Sequence, residues 1–205
     1  MRYKPTPERL QVIRQMPKGL CILDAGTGDG QYLPYLSLKG GVTGLDVSRF
    51  RLGEAKKFGF PLILGDVWRM PLRDCSFDVV WCSEVIEHLP NLTIFDELER
   101  VAKKMIAVTM PNPSGPYYQR DPTHILRYSV SSLQNFLSTR MSWHYILRGL
   151  GLCLSLRVPR LVWSTFYRLT YNRPSHAFNI LIVGIRKTKG LSDSKLSMEA
   201  LREVK

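Results

Sequence analysis

Two clusters of residues in this 205-residue chain have types and spacing that suit chemistry. The first is Asp24-Ala25-Gly26-Thr27-Gly28-Asp29-Gly30, which follows the apolar run Leu20-Cys21-Ile22-Leu23. Glycines in such a turn admit positive φ and let a ligand approach the backbone closely. Gln31 stands where a dinucleotide fingerprint wants its third glycine, and the lysine and Ser/Thr of a phosphate-binding P-loop are missing. The ligand therefore need not be a polyphosphate. The second cluster is Ser83-Glu84-Val85-Ile86-Glu87-His88. On a helix, Glu84, Glu87 and His88 fall at i, i+3 and i+4 on one face, with Val85, Ile86 and Leu89 toward the core. Two carboxylates and an imidazole suit Mg²⁺, Mn²⁺ or Zn²⁺, and His124 offers a fourth ligand. Such an ion would lower the pKa of a bound hydroxyl. Without one, His88 or His124 is the expected general base. Acids near a helix N-terminus are also favoured by the helix dipole alone, so the metal stays one of two readings.

The elements that must position these groups alternate in kind. Thr6-Pro7 reads as an N-cap with proline at the first helical position, opening a helix to about Met16. Strands are expected at 20–23, 42–45, 62–64, 77–81 and 105–108, with helices such as 31–38 and 94–102 between them. Strands that read as continuous apolar runs between helices imply a parallel sheet covered on both faces. After Met110 the spacing predicts a loop, a helix over 130–137 capped by Ser129, and a strand over 145–152. A helix over 160–171, a strand over 178–185 and a polar tail follow.

The ordered motifs resemble class I S-adenosylmethionine-dependent methyltransferases. They are the D-x-G-x-G-x-G turn, Asp46 at the end of the second strand, Gly65-Asp66-Val67, Met70-Pro71, Phe77-Asp78-Val79-Val80 and Glu84-Val85-Ile86-Glu87-His88-Leu89. The resemblance covers roughly residues 8–187. It implies an α/β, Rossmann-like seven-stranded sheet, mostly parallel, with an antiparallel last strand beside the fifth and helices on both faces. It also implies S-adenosylmethionine as cofactor. Gly26, Gly28 and Gly30 would line its methionine part, and Asp24 would orient its amino group. Asp46 would accept from both ribose hydroxyls, Asp66 from the adenine amino group beside the Val67 N–H, and Ser83 would stand at the cleft edge. The E-x-x-E-H turn is similar to those of ubiquinone-biosynthesis O-methyltransferases and small-RNA 2′-O-methyltransferases. One departure is Arg100-Val101-Ala102-Lys103-Lys104, where many relatives carry a Pro-Gly-Gly turn. No Asn/Asp-Pro-Pro-Tyr turn follows the fourth strand, and Cys82 reads as a core thiol rather than a nucleophile.

The net charge of +12 is unevenly placed. Residues 1–100 hold 13 Lys and Arg against 13 Asp and Glu, whereas residues 101–205 hold 16 against 4. A surplus confined to one half suggests an anionic partner, or a face kept soluble by charge. Aromatics are interleaved with the arginines between 117 and 171. The stretch from about 147 to 175 reads as a basic, apolar lid-like insertion within a domain of residues 1–190, with 191–205 a polar tail. The favoured acceptor is small and lipid-like, near an anionic membrane surface, with methyl transfer to oxygen. RNA bound through the arginines is the alternative acceptor. A catalytically silent, cofactor-binding partner subunit is the alternative to an enzyme. Four cysteines without a C-x-x-C pair suit a reducing cytoplasm. The opening MRYKPTPERL has no apolar core, so no secretory leader is expected. No apolar run reaches the ~18 residues of a membrane span.

Overall fold

In a computed structural model, the structure describes residues 5–113, 115, 118, 121–126, 128–152 and 177–187. Helix α1 (Pro7–Gln15) leads into β1 (Leu20–Ala25), α2 (Leu33–Leu36), β2 (Gly40–Asp46), α3 (Arg49–Ala55) and β3 (Leu62–Leu64). Then come β4 (Phe77–Ser83), α4 (Ile94–Val101), β5 (Ala102–Pro111), α5 (Val130–Ser138), β6 (Trp143–Leu152) and β7 (Ala177–Arg186). The strand order is β3-β2-β1-β4-β5-β7-β6. Strands β1 to β5 pair in parallel, and β7 runs antiparallel between β5 and β6. This is the expected seven-stranded, Rossmann-like methyltransferase sheet.

Side chains alternate across that sheet, and each face is covered. On one side Leu23, Val80, Cys82, Ile106 and Val108 pack with Phe95 and Leu98 of α4 and Leu133 and Leu137 of α5. On the other, Ile22, Val79, Trp81, Leu181 and Val183 pack with Val12 and Ile13 of α1 and Leu33 and Leu36 of α2. Helix α4 forms because Ile94, Phe95, Leu98 and Val101 make one buried stripe while Asp96, Glu97, Glu99 and Arg100 stay off it. The Arg100–Lys104 departure has a simple outcome: Val101 closes α4 and Ala102 opens β5 with no turn between them. Ser129 caps α5 as expected, its hydroxyl accepting the Ser132 N–H at 3.1 Å.

The helix expected over 31–38 is shorter. A four-residue α2 begins at Leu33, with Pro34 in its first turn, and a 3-10 turn over Ser37–Lys39 completes it. Of the expected lid, residues 147–152 form the second half of β6, while 153–175 lie outside the described residues. The helix expected over 160–171 and the tail after 187 also lie outside them. Among the described residues, no helix is long and apolar enough to cross a membrane.

Candidate functional site

The sheet order reverses direction between β1 and β4, and the crevice beyond the carboxyl ends of these strands is where open α/β sheets bind ligands. The three acids singled out in the sequence all stand at this edge. Asp24 ends the apolar part of β1, Asp46 ends β2, and Asp66 follows β3 by two residues. The glycine turn after β1 is held against β2 by Gly26 and Thr27 N–H groups, which both donate to the Leu45 carbonyl at 2.8 and 2.9 Å. Gly26 has φ +79, and a Cβ there would run into Val85 Cγ2. Gly28 has φ +56 with nothing within 4 Å of where a Cβ would stand, which leaves room for a ligand against the backbone. Gly30 completes the turn.

Each acid is differently placed. Asp24 is 2% exposed, and its carboxylate accepts the Thr27 hydroxyl at 2.7 Å. Burial pushes its pKa up to about 7, against the lowering effect of the Thr27 bond, and the Asp46 charge adds to the rise. A buried carboxyl held in this way suits a ligand that brings a positive charge. Asp46 accepts the Gly28 N–H and the Ser48 N–H, both at 2.8 Å, one on each oxygen. Each oxygen keeps a second lone pair for a neighbouring diol. Asp66 is exposed and accepts the Trp68 N–H at 2.9 Å, with Val67 buried beside it. The donor set fits S-adenosylmethionine: a carboxyl for an amino group, a carboxylate for a diol, and a carboxylate for an aromatic amine.

The turn after β4 departs from the helix expected there. Glu84 takes φ +57, and only a 3-10 turn over Ile86–His88 follows. Glu84 is thereby swung away from Glu87 and His88 toward α1, where its carboxylate meets the Arg9 guanidinium at 2.5 Å. Arg9 is 2% exposed, and its Nε also donates to Thr109 Oγ1 at 3.2 Å. Ser83, also buried, shares a hydrogen bond of 2.8 Å with the same Thr109 hydroxyl. Sequence reasoning missed Arg9. The signal was present, because Arg9, Val12, Ile13 and Met16 share one helical stripe and three of the four are apolar.

Glu87, His88 and His124 do come together. One ligand atom from each lies within 4.8 Å of the others. The backbone brings them there: the Ile125 and Leu126 N–H groups both donate to the Glu87 carbonyl, at 2.9 and 3.1 Å. The two imidazoles lie 5.1 Å apart, centroid to centroid. His88 Nδ1 is 3.2 Å from the Thr123 carbonyl and His124 Nδ1 is 2.9 Å from the Tyr118 carbonyl. A carbonyl only accepts, so each Nδ1 is the donor, and in the neutral imidazole Nε2 is then the nitrogen with the lone pair. Glu87 is 1% exposed, and neither of its carboxylate oxygens has a hydrogen-bond partner among the described residues. Burial, and then the nearby Glu84 charge, pushes its pKa well above the ordinary carboxylate range.

Residues 23–106 match the family model described as "Methyltransferase domain". A malonyl-[acyl-carrier protein] O-methyltransferase of Legionella pneumophila is 37% identical over 103 residues, 46% of this chain and 36% of that protein. A 2-methyl-6-phytyl-1,4-hydroquinone methyltransferase of Synechocystis is 33% identical over 96 residues, 43% of this chain and 30% of that protein. The matches thus span about a third of the length of these two curated relatives. An S-adenosylmethionine-dependent methyltransferase of Mesorhizobium loti superposes with a TM-score of 0.68 at 16% identity, covering 88% of this chain and 98% of that one. The chain has the fold of the class I S-adenosylmethionine-dependent methyltransferases, and its residues 23–106 match a methyltransferase domain.

Proposed function

We propose that this chain is an enzyme that moves the methyl group of S-adenosylmethionine to an oxygen of a small, lipid-like acceptor. The observation that carries this reading is the Glu87–His88–His124 cluster. It follows Val85, which packs on Gly26 of the glycine turn, so a proton acceptor stands beside the edge where the cofactor would bind. Asp24 orients the cofactor's amino group, Asp46 holds the ribose, and Asp66 with Val67 holds the adenine. Gly26, Gly28 and Gly30 line the methionine part, and Ser83 stands below it. The cofactor supplies an activated methyl on a sulfonium. The acceptor hydroxyl gives its proton to an imidazole Nε2, His124 or His88, as its oxygen bonds to the methyl carbon. The carbon–sulfur bond breaks with its electron pair going to sulfur, leaving a neutral thioether. Most of the rate comes from in-line alignment of the two reactants.

One relative supports an apolar acceptor and the other supports transfer to oxygen. One is named for a hydroquinone bearing a phytyl chain and the other for a carrier-bound malonyl group. A second reading adds a divalent cation, Mg²⁺ or Mn²⁺, and the unpartnered buried Glu87 carboxylate favours it. Glu87, His88 and His124 would hold the ion, with the imidazoles oriented through their Nδ1–carbonyl bonds. Glu84 is committed to Arg9 and is left out of that set. In either reading the site acts on a hydroxyl.

The test uses cofactor labelled in the transferable methyl, the purified chain and a cell extract. Label is expected in the organic phase, with none after His88→Ala and His124→Ala are combined. Label released by nuclease would instead make the acceptor RNA. No transfer at all would favour a silent partner subunit. Loss of transfer on adding chelator, restored by Mg²⁺ or Mn²⁺, would establish the cation, and transfer indifferent to chelator would dismiss it.

A further inference from the structure

The loop between β3 and β4 carries Asp66 and Val67 but has little regular structure of its own. Its one isolated bridge joins Asp66 to Arg69. At its start the Gly65 N–H donates to the Asp46 carbonyl at 3.0 Å, and the Trp68 and Arg69 N–H groups bond back to Asp66. From Met70 onward its side-chain hydrogen bonds come from α4. Glu97 Oε2 accepts the Met70 N–H at 2.7 Å. Arg100 grips Glu97 with a two-pronged contact, Nε to Oε1 and Nη2 to Oε2, each 2.7 Å. The same guanidinium donates from Nη2 to the Met70 carbonyl at 3.1 Å. From Nη1 it donates to the Leu72 carbonyl at 2.7 Å and to Asp74 at 2.8 Å. A guanidinium has five N–H donors, and all five are used. The backbone of the same helix end adds two contacts, with Cys75 and Ser76 N–H groups donating to the Arg100 and Val101 carbonyls.

We infer that Arg100, acting through Glu97, is a positioning residue for adenine recognition. It touches no ligand. It fixes residues 70–74 against α4, and with them the short turn back to Asp66 and Val67. The carboxylate that faces the adenine amino group then holds one position at the end of β3. This inference rests on the adenine role proposed above for Asp66. Lysine cannot replace Arg100, because a point charge with three donors cannot grip a carboxylate and two carbonyls in one plane. The Arg100–Glu97 pair keeps its partners in hand: the guanidinium holds the Glu97 carboxyl below its ordinary range.

The test compares S-adenosylhomocysteine with S-inosylhomocysteine, which has an oxygen in place of the adenine amino group. Calorimetry gives both dissociation constants for the full chain. The unaltered protein is expected to prefer the adenosine compound by on the order of tenfold, about 1.4 kcal/mol. Arg100→Lys is expected to weaken the adenosine compound and leave the inosine compound nearly unchanged, so the preference collapses. Glu97→Gln should act in the same direction, because in either amide orientation its NH₂ would face a donor, Met70 N–H and Arg100 Nη2 or else Arg100 Nε, and it serves if Arg100→Lys does not fold. Arg140→Lys is the control. Arg140 binds Asp96 and Glu99 on the same helix but not the loop, so a loss of stability alone would leave the preference intact. Preference retained in Arg100→Lys or, failing that, in Glu97→Gln overturns the inference. Asp66→Ala separates the two layers: preference retained there overturns the adenine assignment itself, whatever Arg100 does.

Discussion

Asp24 is the residue whose chemistry is most sharply set by its surroundings. Burial lifts its pKa to about 7, so near neutrality part of the ligand-free protein carries a proton there. In the proposed function Asp24 faces the cofactor's amino group, which is cationic at that pH and favours the ionised carboxyl. Binding should therefore release a proton. The sign follows: affinity for S-adenosylhomocysteine rises as pH increases through about 7 and levels off above it. Calorimetry in buffers of different ionisation enthalpy should detect the released proton at pH 6 and little at pH 8.5. In the ligand-free fold the same group works the other way. Its folded pKa lies above the unfolded value, so it costs stability as pH climbs from about 4 to about 7. The thermal shift on adding ligand should then be larger at pH 8 than at pH 6. An affinity independent of pH would remove Asp24 from the amino-group site. Asp24, Asp46 and Asp66 were legible in the sequence because each ends or closely follows an apolar strand. Glu84 was not. Its helical spacing with Glu87 and His88 was real, but its left-handed backbone and a partner 75 positions away in α1 leave no local trace.

At the scale of elements, α1 is tied to the sheet through that ion pair. Arg9 and Glu84 are both largely buried, and Thr109 on β5 shares the contact. Removing one partner of a buried pair typically costs about 3–5 kcal/mol, whereas replacing both can be close to neutral. Arg9→Met is expected to lower stability by an amount in that range in urea unfolding. Adding Glu84→Gln to it should recover a good part of the loss. Additive losses would mean that the pair is not coupled and that α1 is held by Val12, Ile13 and Met16 alone. The strands before Met110 were readable because each parallel strand is a short apolar run with its own turn signal. The wing beyond them was readable in its parts, as the Ser129 cap of α5 and the strands near 145 and 180 show. Its assembly came from the family resemblance, which implied an antiparallel last strand beside the fifth, and not from local patterns. The pairing of β6 with β7 joins segments separated by residues 153–176, and β7 slips between β5 and β6, which no local pattern encodes. The passage of α4 straight into β5 also had to be seen, and it is what sets Arg100 against the Met70–Asp74 loop.

The whole molecule divides its charge along the chain. Residues 1–100 supply β1 to β4 with every acid assigned to the cofactor, and their Lys and Arg balance their Asp and Glu. Residues 101–205 supply β5, β7 and β6, the side of the sheet nearer the acceptor in the proposed function, and carry the whole +12. A sequence half of zero net charge followed by a cationic half favours contact with an anionic surface. Binding to vesicles containing anionic lipid is therefore expected, and it should fall steeply between about 0.1 M and about 1 M salt, where the Debye length shrinks from about 10 Å to about 3 Å. Vesicles of neutral lipid alone should bind weakly at every salt concentration. If the acceptor is lipid-like, methyl transfer to label in anionic vesicles should decline over the same salt range, while transfer to a water-soluble analogue should hold steady. A flat response in both would leave the +12 with solubility as its only task, and the acceptor would then reach Glu87, His88 and His124 from solution.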